Sequence, residues 1–172
     1  MEYEEQFERD FMKRTLSLLH DHGEPAGPYG ATLLLNCLLG LLVVPKEKSF
    51  EKIPTDPISD LRKWGISPSS IKSPRTKAAK NTHPGTIREF VCKLRHAVAH
   101  FDVTPLGQDG KCTGFVFAGL DEFTAAIDLG ELREFVENLA EHLLSGDLPH
   151  NQSSQFASRL GRPNGSRSVA EA

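Results

Sequence analysis

One short run, Lys93-Leu94-Arg95-His96-Ala97-Val98-Ala99-His100, gathers a lysine, an arginine and two histidines. Imidazole titrates near neutral pH and serves as general acid or general base without a metal. Guanidinium grips phosphate in a planar fork and stays cationic throughout. Cleavage of RNA by its own 2′-hydroxyl needs this combination. A base takes the hydroxyl proton, an acid protonates the departing 5′-oxygen, and a cation stabilises the charged phosphorane. No external nucleophile, no metal and no cofactor are required.

The spacing tells where these groups point. His96 and His100 are four residues apart and share one helical face. At about 100° per residue, both fall roughly opposite the helix's apolar stripe, with Arg95 on the flank between. The same rear face carries Cys92 and Ala99, where a solvated helix ordinarily presents Lys and Glu. Small residues let another surface approach closely, so the back of this helix is expected to meet a second subunit or a substrate. A histidine pair at this spacing is also half of a zinc site. His20, His22, His83 and the cysteines offer no partners at ligand spacing, so no metal is expected. On residue type alone, a plain structural helix with two surface imidazoles stands as the alternative.

The elements around the run follow from periodicity. Pro84 marks the start of the helix that carries it, and Ile87, Phe90, Val91, Leu94, Val98 and Phe101 form its core stripe, with an end near Phe101. Asp102 to Pro105 reads as a strand, Gly107-Gln108-Asp109-Gly110 as a turn, Cys112 to Ala118 as the returning strand, and Phe123 to Ile127 as a third. A last helix opens at Asp128 with Glu131 as its capping partner, buries Leu132, Phe135, Val136, Leu139 and Leu143, and stops at Gly146. Toward the N-terminus, Glu2 to His20 reads as a helix with the stripe Tyr3, Phe7, Phe11 and Leu18. A second, from about Tyr29 to Val43, is apolar nearly all round and must be covered on most sides. Both belong to a bundle, or to a bundle that also dimerises.

Residues 46–81 break the pattern. Pro54, Pro57, Pro68 and Pro74 punctuate them, Asp56-Pro57 offers an N-cap, and Ile58, Leu61 and Trp64 anchor one short helix. Ser67 to Asn81 reads as a mobile basic loop carrying Lys72, Arg75, Lys77 and Lys80. It is either a solvated linker or a phosphate-attracting flap. Lys77, Lys80, Lys93 and Asp102 are the candidates for contact with substrate. From Pro149 onward Ser, Asn, Gly and Arg predict disorder. The division expected is therefore one helical domain over residues 1–146, with 46–81 as an irregular basic insertion and 102–127 as a β-hairpin, then a disordered tail over 147–172.

Composition narrows the class. The 172 residues are 38% hydrophobic and 25% charged, as in a soluble globular protein. A net charge of −3 gives no global basic field, so any nucleic-acid binding is local. Cys37, Cys92 and Cys112 are odd in number and widely spaced, which argues against a disulfide framework and for a reducing cytoplasm. Met1 to Glu5 is acidic where a secretory leader is basic. The most apolar stretch, Ala31 to Val44, is too short to span a bilayer, which takes about 20 residues, so no membrane partner is expected.

Arg95-His96-Ala97-Val98-Ala99-His100 resembles the Arg-x4-His motif of the HEPN superfamily, in which the residue after the arginine is typically Asn, Asp or His. The similarity is to a branch with a β-hairpin inserted before the last helix. It implies a mainly α fold, an up-and-down helical bundle with the motif on its third main helix. It also implies a metal-independent endoribonuclease that cuts single-stranded or loop RNA, acting as a homodimer whose motif helices face each other. By position, Arg95 would bind and stabilise the scissile phosphate, His100 would act as acid or base, and His96 would orient them. Many members act as toxins or in anti-phage defence, which implies an antitoxin or sensor protein as a further partner. A non-catalytic dimer that binds RNA or a protein is the alternative. One toxin branch carries a tyrosine two positions after the motif histidine. This chain has Asp102 there, a carboxylate that would orient an imidazole or repel RNA.

Overall fold

In the computed structural model, residues 7–22, 29–44, 50–73, 83–119 and 122–145 are described. Four main helices are seen among them: α1 (Phe7–His22), α2 (Gly30–Val43), α3 (Ile87–Ala99) and α4 (Leu129–Ser145). The most apolar helix, α2, packs against the other three. Leu38, Leu41 and Leu42 on it reach 0% exposure, and burial of each contributes ~1.5–3 kcal/mol. The architecture is mainly α with a small antiparallel sheet, as expected. Among the described residues, no helix is long and apolar enough to cross a membrane.

The buried face of α1 follows its predicted stripe only at Phe11, whose half-buried ring lies against Gly40 of α2. Phe7 and Leu18 are 47% and 46% exposed, while Met12, Thr15 and Leu19 lie at 5% or less. The stripe 12-15-19 is also helical in period, and it wins because Met12 and Leu19 join the core around α2. Tyr3 lies outside the described residues.

Between α3 and α4 runs a three-stranded sheet, β1 (Val103–Gln108), β2 (Lys111–Ala118) and β3 (Thr124–Asp128), in the order β1-β2-β3. Asp109 and Gly110 turn β1 into β2 with φ of 54° and 74°, the two positive angles of a type I′ hairpin turn. Phe115, Phe117, Ala125 and Ile127 face inward. Phe123, just before β3, meets Phe90 of α3 edge-on at 6.1 Å, and Phe90 meets Phe135 of α4 at 5.9 Å. This chain of rings ties the sheet to both helices.

The segment before the sheet is better ordered than its composition predicts. Ile58–Trp64 is a 3-10 helix that buries Leu61 and Trp64. Its N-cap is Pro57, with no side-chain cap, rather than Asp56. Gly65 ends it at φ 93°, and a Cβ there would lie 2.6 Å from Glu134 on α4. Only glycine fits both demands. Ser67 to Ser73 is part of the packed body, not a mobile loop. Pro68–Ser70 forms a second 3-10 turn. Ser67 N and Ser70 Oγ donate to the Glu131 carboxylate at 3.0 and 2.7 Å. Lys72 N donates to Thr124 O and Thr124 N to Ser73 Oγ, both at 2.8 Å, which covers the edge of β3. Asp128 Oδ1 accepts from Glu131 N at 2.8 Å as the cap requires. The Glu131 side chain does not reach back to it, because the 67–70 turn takes that carboxylate instead. Residues 74–82 and 146–172, with Gly146, the basic loop and the tail, lie outside the described residues.

Candidate active site on the third main helix

The start of α3 is fastened from several sides. Thr86 Oγ1 accepts from Glu89 N at 3.2 Å, and Glu89 Oε2 accepts from Gly85 N at 2.7 Å. Ile87 N donates to Asp56 O and Arg88 N to Pro54 O. The Arg88 side chain donates from Nε to Ile53 O at 2.7 Å and from Nη2 to Glu51 O at 2.8 Å. The helix then buries Ile87, Phe90, Val91, Leu94, Ala97 and Val98. Cys92, Ala99 and His100 remain exposed on the opposite side, as the periodicity predicts.

The end of α3 departs from the expected stripe. Phe101 is not core: it is 71% exposed. The helix ends two residues earlier, at Ala99, and closes through Phe101 N donating to Val98 O at 3.2 Å and Asp102 N to Ala97 O at 2.8 Å. This pair of bonds is a Schellman closure, which sets the residue at Phe101 in the left-handed region usually given to glycine. Its φ is 58°. For a residue with a side chain that conformation costs ~1–2 kcal/mol. Asp102 O in turn accepts from Ala118 N at 2.9 Å, so the sheet begins at once and the chain cannot continue as helix.

His96 and His100 are brought together. Their ring centroids are 4.3 Å apart with the planes inclined at 47°. His100 is exposed at the C-cap, whereas His96 is half-buried. Nε2 of His96 is fully buried and has no hydrogen-bond partner among the described residues. The contrast with His142 is direct. That imidazole is core, edge-on to Trp64 at 5.0 Å, and its Nε2 donates to Lys52 O at 2.9 Å. An orphaned buried polar atom costs ~1–3 kcal/mol until something pairs with it.

Arg95 lies about 140° around the helix from His100, and the two do not meet within one chain. Its guanidinium carbon sits 4.5 Å from the centroid of the Phe50 ring. A guanidinium held over a ring by cation–π attraction leaves N–H donors available for an anion, and no hydrogen bond from them to a described residue is present. Arg88 is two turns earlier on the same side, and it fixes the 51–53 turn that follows Phe50. Arg88 thus supports the platform on which Arg95 rests. Neither Phe50 nor Arg88 stood out in the sequence. Arg88 is visible as the i−7 neighbour of Arg95, but no local signal marks Phe50.

Lys93 shares the stripe of His96 and His100, about 20° from the latter, and its Nζ lies 5.9 Å from the Phe123 ring centroid. Asp102 is exposed just past the helix, and its carboxylate bonds to neither imidazole. Lys77 and Lys80 lie outside the described residues. Among the described residues, no three His, Cys, Asp or Glu side chains gather as a metal ion would need. Cys37 is no nucleophile: burial pushes its thiol up to about 11.

Residues 1–149 match the protein family described as HEPN pEK499 p136. No curated protein and no solved structure matches the chain.

Proposed function

The chain belongs to the HEPN pEK499 p136 family, and on that premise we propose that it is a metal-independent endoribonuclease. It cuts single-stranded or loop RNA by attack of the ribose 2′-hydroxyl on the adjacent phosphate. His100 exchanges the proton, taking it from the 2′-oxygen or giving it to the 5′-oxygen as that bond breaks. Arg95 binds the phosphate by its N–H donors. His96, held against His100, orients it and donates or accepts at its buried Nε2 once substrate arrives. The observation that carries this reading is the unpaired Nε2 of His96, on a ring whose centroid lies 4.3 Å from that of the exposed His100. A structural histidine would be paired, as His142 is.

The separation of Arg95 from His100 within one chain supports a homodimer in which the rear faces of two α3 helices meet and each copy completes the other's cleft. Cys92 and Ala99 are small enough to allow that approach. A cytoplasmic toxin or anti-phage role, held in check by an antitoxin or triggered by a sensor protein, fits a nuclease that needs no metal. The second reading is a non-catalytic dimer that binds RNA or a protein partner.

Purified protein is incubated with labelled single-stranded RNA in EDTA, and its mass is followed by sedimentation. The wild type is expected to cut as a dimer, and His100→Ala to remain dimeric and cut nothing. Arg95→Ala should lose ~2–4 kcal/mol of transition-state stabilisation, about 30- to 1,000-fold in rate. Binding without scission, unchanged by His100→Ala, establishes the second reading. Cleavage that requires Mg²⁺ and survives His100→Ala rejects the first.

A further inference from the structure

We propose that Phe101 stacks on a nucleobase next to the scissile phosphate, making the end of α3 a base-reading platform as well as a cleavage site. This rests on the ribonuclease reading above. Three observations converge on the ring. It follows His100 directly in the chain. It is 71% exposed, more than any other described large hydrophobic residue except Tyr29. And it is held at φ 58°, a conformation disfavoured for a bulky side chain, by two backbone hydrogen bonds and the strand start that follows. Glycine at this position would remove both the strain and the exposed ring. Among the described residues no ring, cation or hydrogen-bonding side chain pairs with Phe101, and a strained, exposed ring beside candidate acid–base groups is the kind of feature a ligand would use.

The chemistry of the neighbourhood selects that partner. The imidazoles address a phosphate and a ribose hydroxyl. In a single strand the base lies one sugar away from each, with its face unstacked. An aromatic ring offers a flat surface that every base accepts without sequence-specific hydrogen bonds. Phe101 is thereby a substrate-positioning residue that gives the enzyme its preference for unpaired RNA.

The test uses full-length protein and a fluorescein-labelled single-stranded RNA 20-mer of mixed sequence, read by anisotropy and by cleavage in EDTA. Phe101→Gly is expected to raise the melting temperature, weaken RNA binding about 10-fold, and raise KM while leaving kcat nearly unchanged. Phe101→Trp should restore binding, and Phe101→Leu should not. An abasic site beside the cleaved bond should erase the difference between wild type and Phe101→Gly. The proposal is overturned if Phe101→Gly binds and cuts like wild type, if Phe101→Leu rescues it, or if Phe101→Gly dissociates the dimer, which would assign the ring to a second copy of the chain. Cleavage that depends on His100 but not on Phe101 sinks this inference alone. A wild type that neither binds nor cuts the 20-mer removes the ribonuclease reading with it.

Discussion

At its N-terminus α3 has its backbone donors and its charges satisfied: Thr86 Oγ1 accepts from Glu89 N, the Glu89 carboxylate accepts from Gly85 N, and Arg88 donates to the 51 and 53 carbonyls. Thirteen residues later the same helix ends with a buried nitrogen that has no partner among the described residues, a phenylalanine in a glycine conformation and a guanidinium held over the Phe50 ring. One end is arranged for stability, and the other leaves interactions open. An unfulfilled polar atom or a strained residue is costly. These costs are concentrated at one end of one helix, where the proposed site lies.

The contrast can be broken at either end. The largest effect on stability is expected at the satisfied end. Arg88→Ala removes two hydrogen bonds from a charged donor to backbone carbonyls, and should lower unfolding free energy by about 2–3 kcal/mol in urea titration. Activity should then fall only as far as the 50–53 turn loosens under Arg95. At the open end, Phe50→Leu keeps apolar bulk and removes the π face. Arg95 should lose ~0.5–1 kcal/mol of support, seen as a two- to five-fold rise in KM, with a stability change within ~1.5 kcal/mol. An unchanged KM would show that Arg95 does not use the Phe50 platform.

The smallest effect lies away from both ends. Glu134 on α4 is raised above the ordinary carboxylate range, first by burial and then by Glu137 and Glu131. A carboxyl raised in the folded state holds its proton better there than when unfolded. Its contribution is therefore fully favourable below the unfolded value and is lost as pH rises through the folded one. Glu134→Gln should melt slightly higher than wild type at pH 7, and the gap should close on acidification below the carboxylate range. A gap that persists at low pH would place the effect in packing rather than in charge.

Much of this helix was legible in the sequence. The stripe Ile87 to Val98, the rear placement of His96 and His100 and the Asp128 cap follow from local period and turn chemistry, whereas of the expected Gly107–Gly110 turn only Asp109 and Gly110 bend the chain, Gly107 and Gln108 being paired in β1. Phe101 did not, because periodicity assumes the helix continues. A long-range bond, Ala118 N to Asp102 O, marks where it stops. The α1 stripe misled because two helical stripes overlap, and only packing on α2 selects Met12 and Leu19. Composition read Ser67 to Ser73 as loop, whereas a carboxylate on α4 and the open edge of β3 hold it in place. Phe50 was invisible, since its value lies in meeting Arg95 from a distant part of the chain.

The most direct test of the central claim is mass spectrometry of RNA termini after incubation with the full-length protein in EDTA. Wild type is expected to leave 2′,3′-cyclic phosphate and 5′-hydroxyl ends, with His100→Ala leaving the strand whole. Ends bearing 5′-phosphate, or intact RNA with the wild-type dimer, would contradict it.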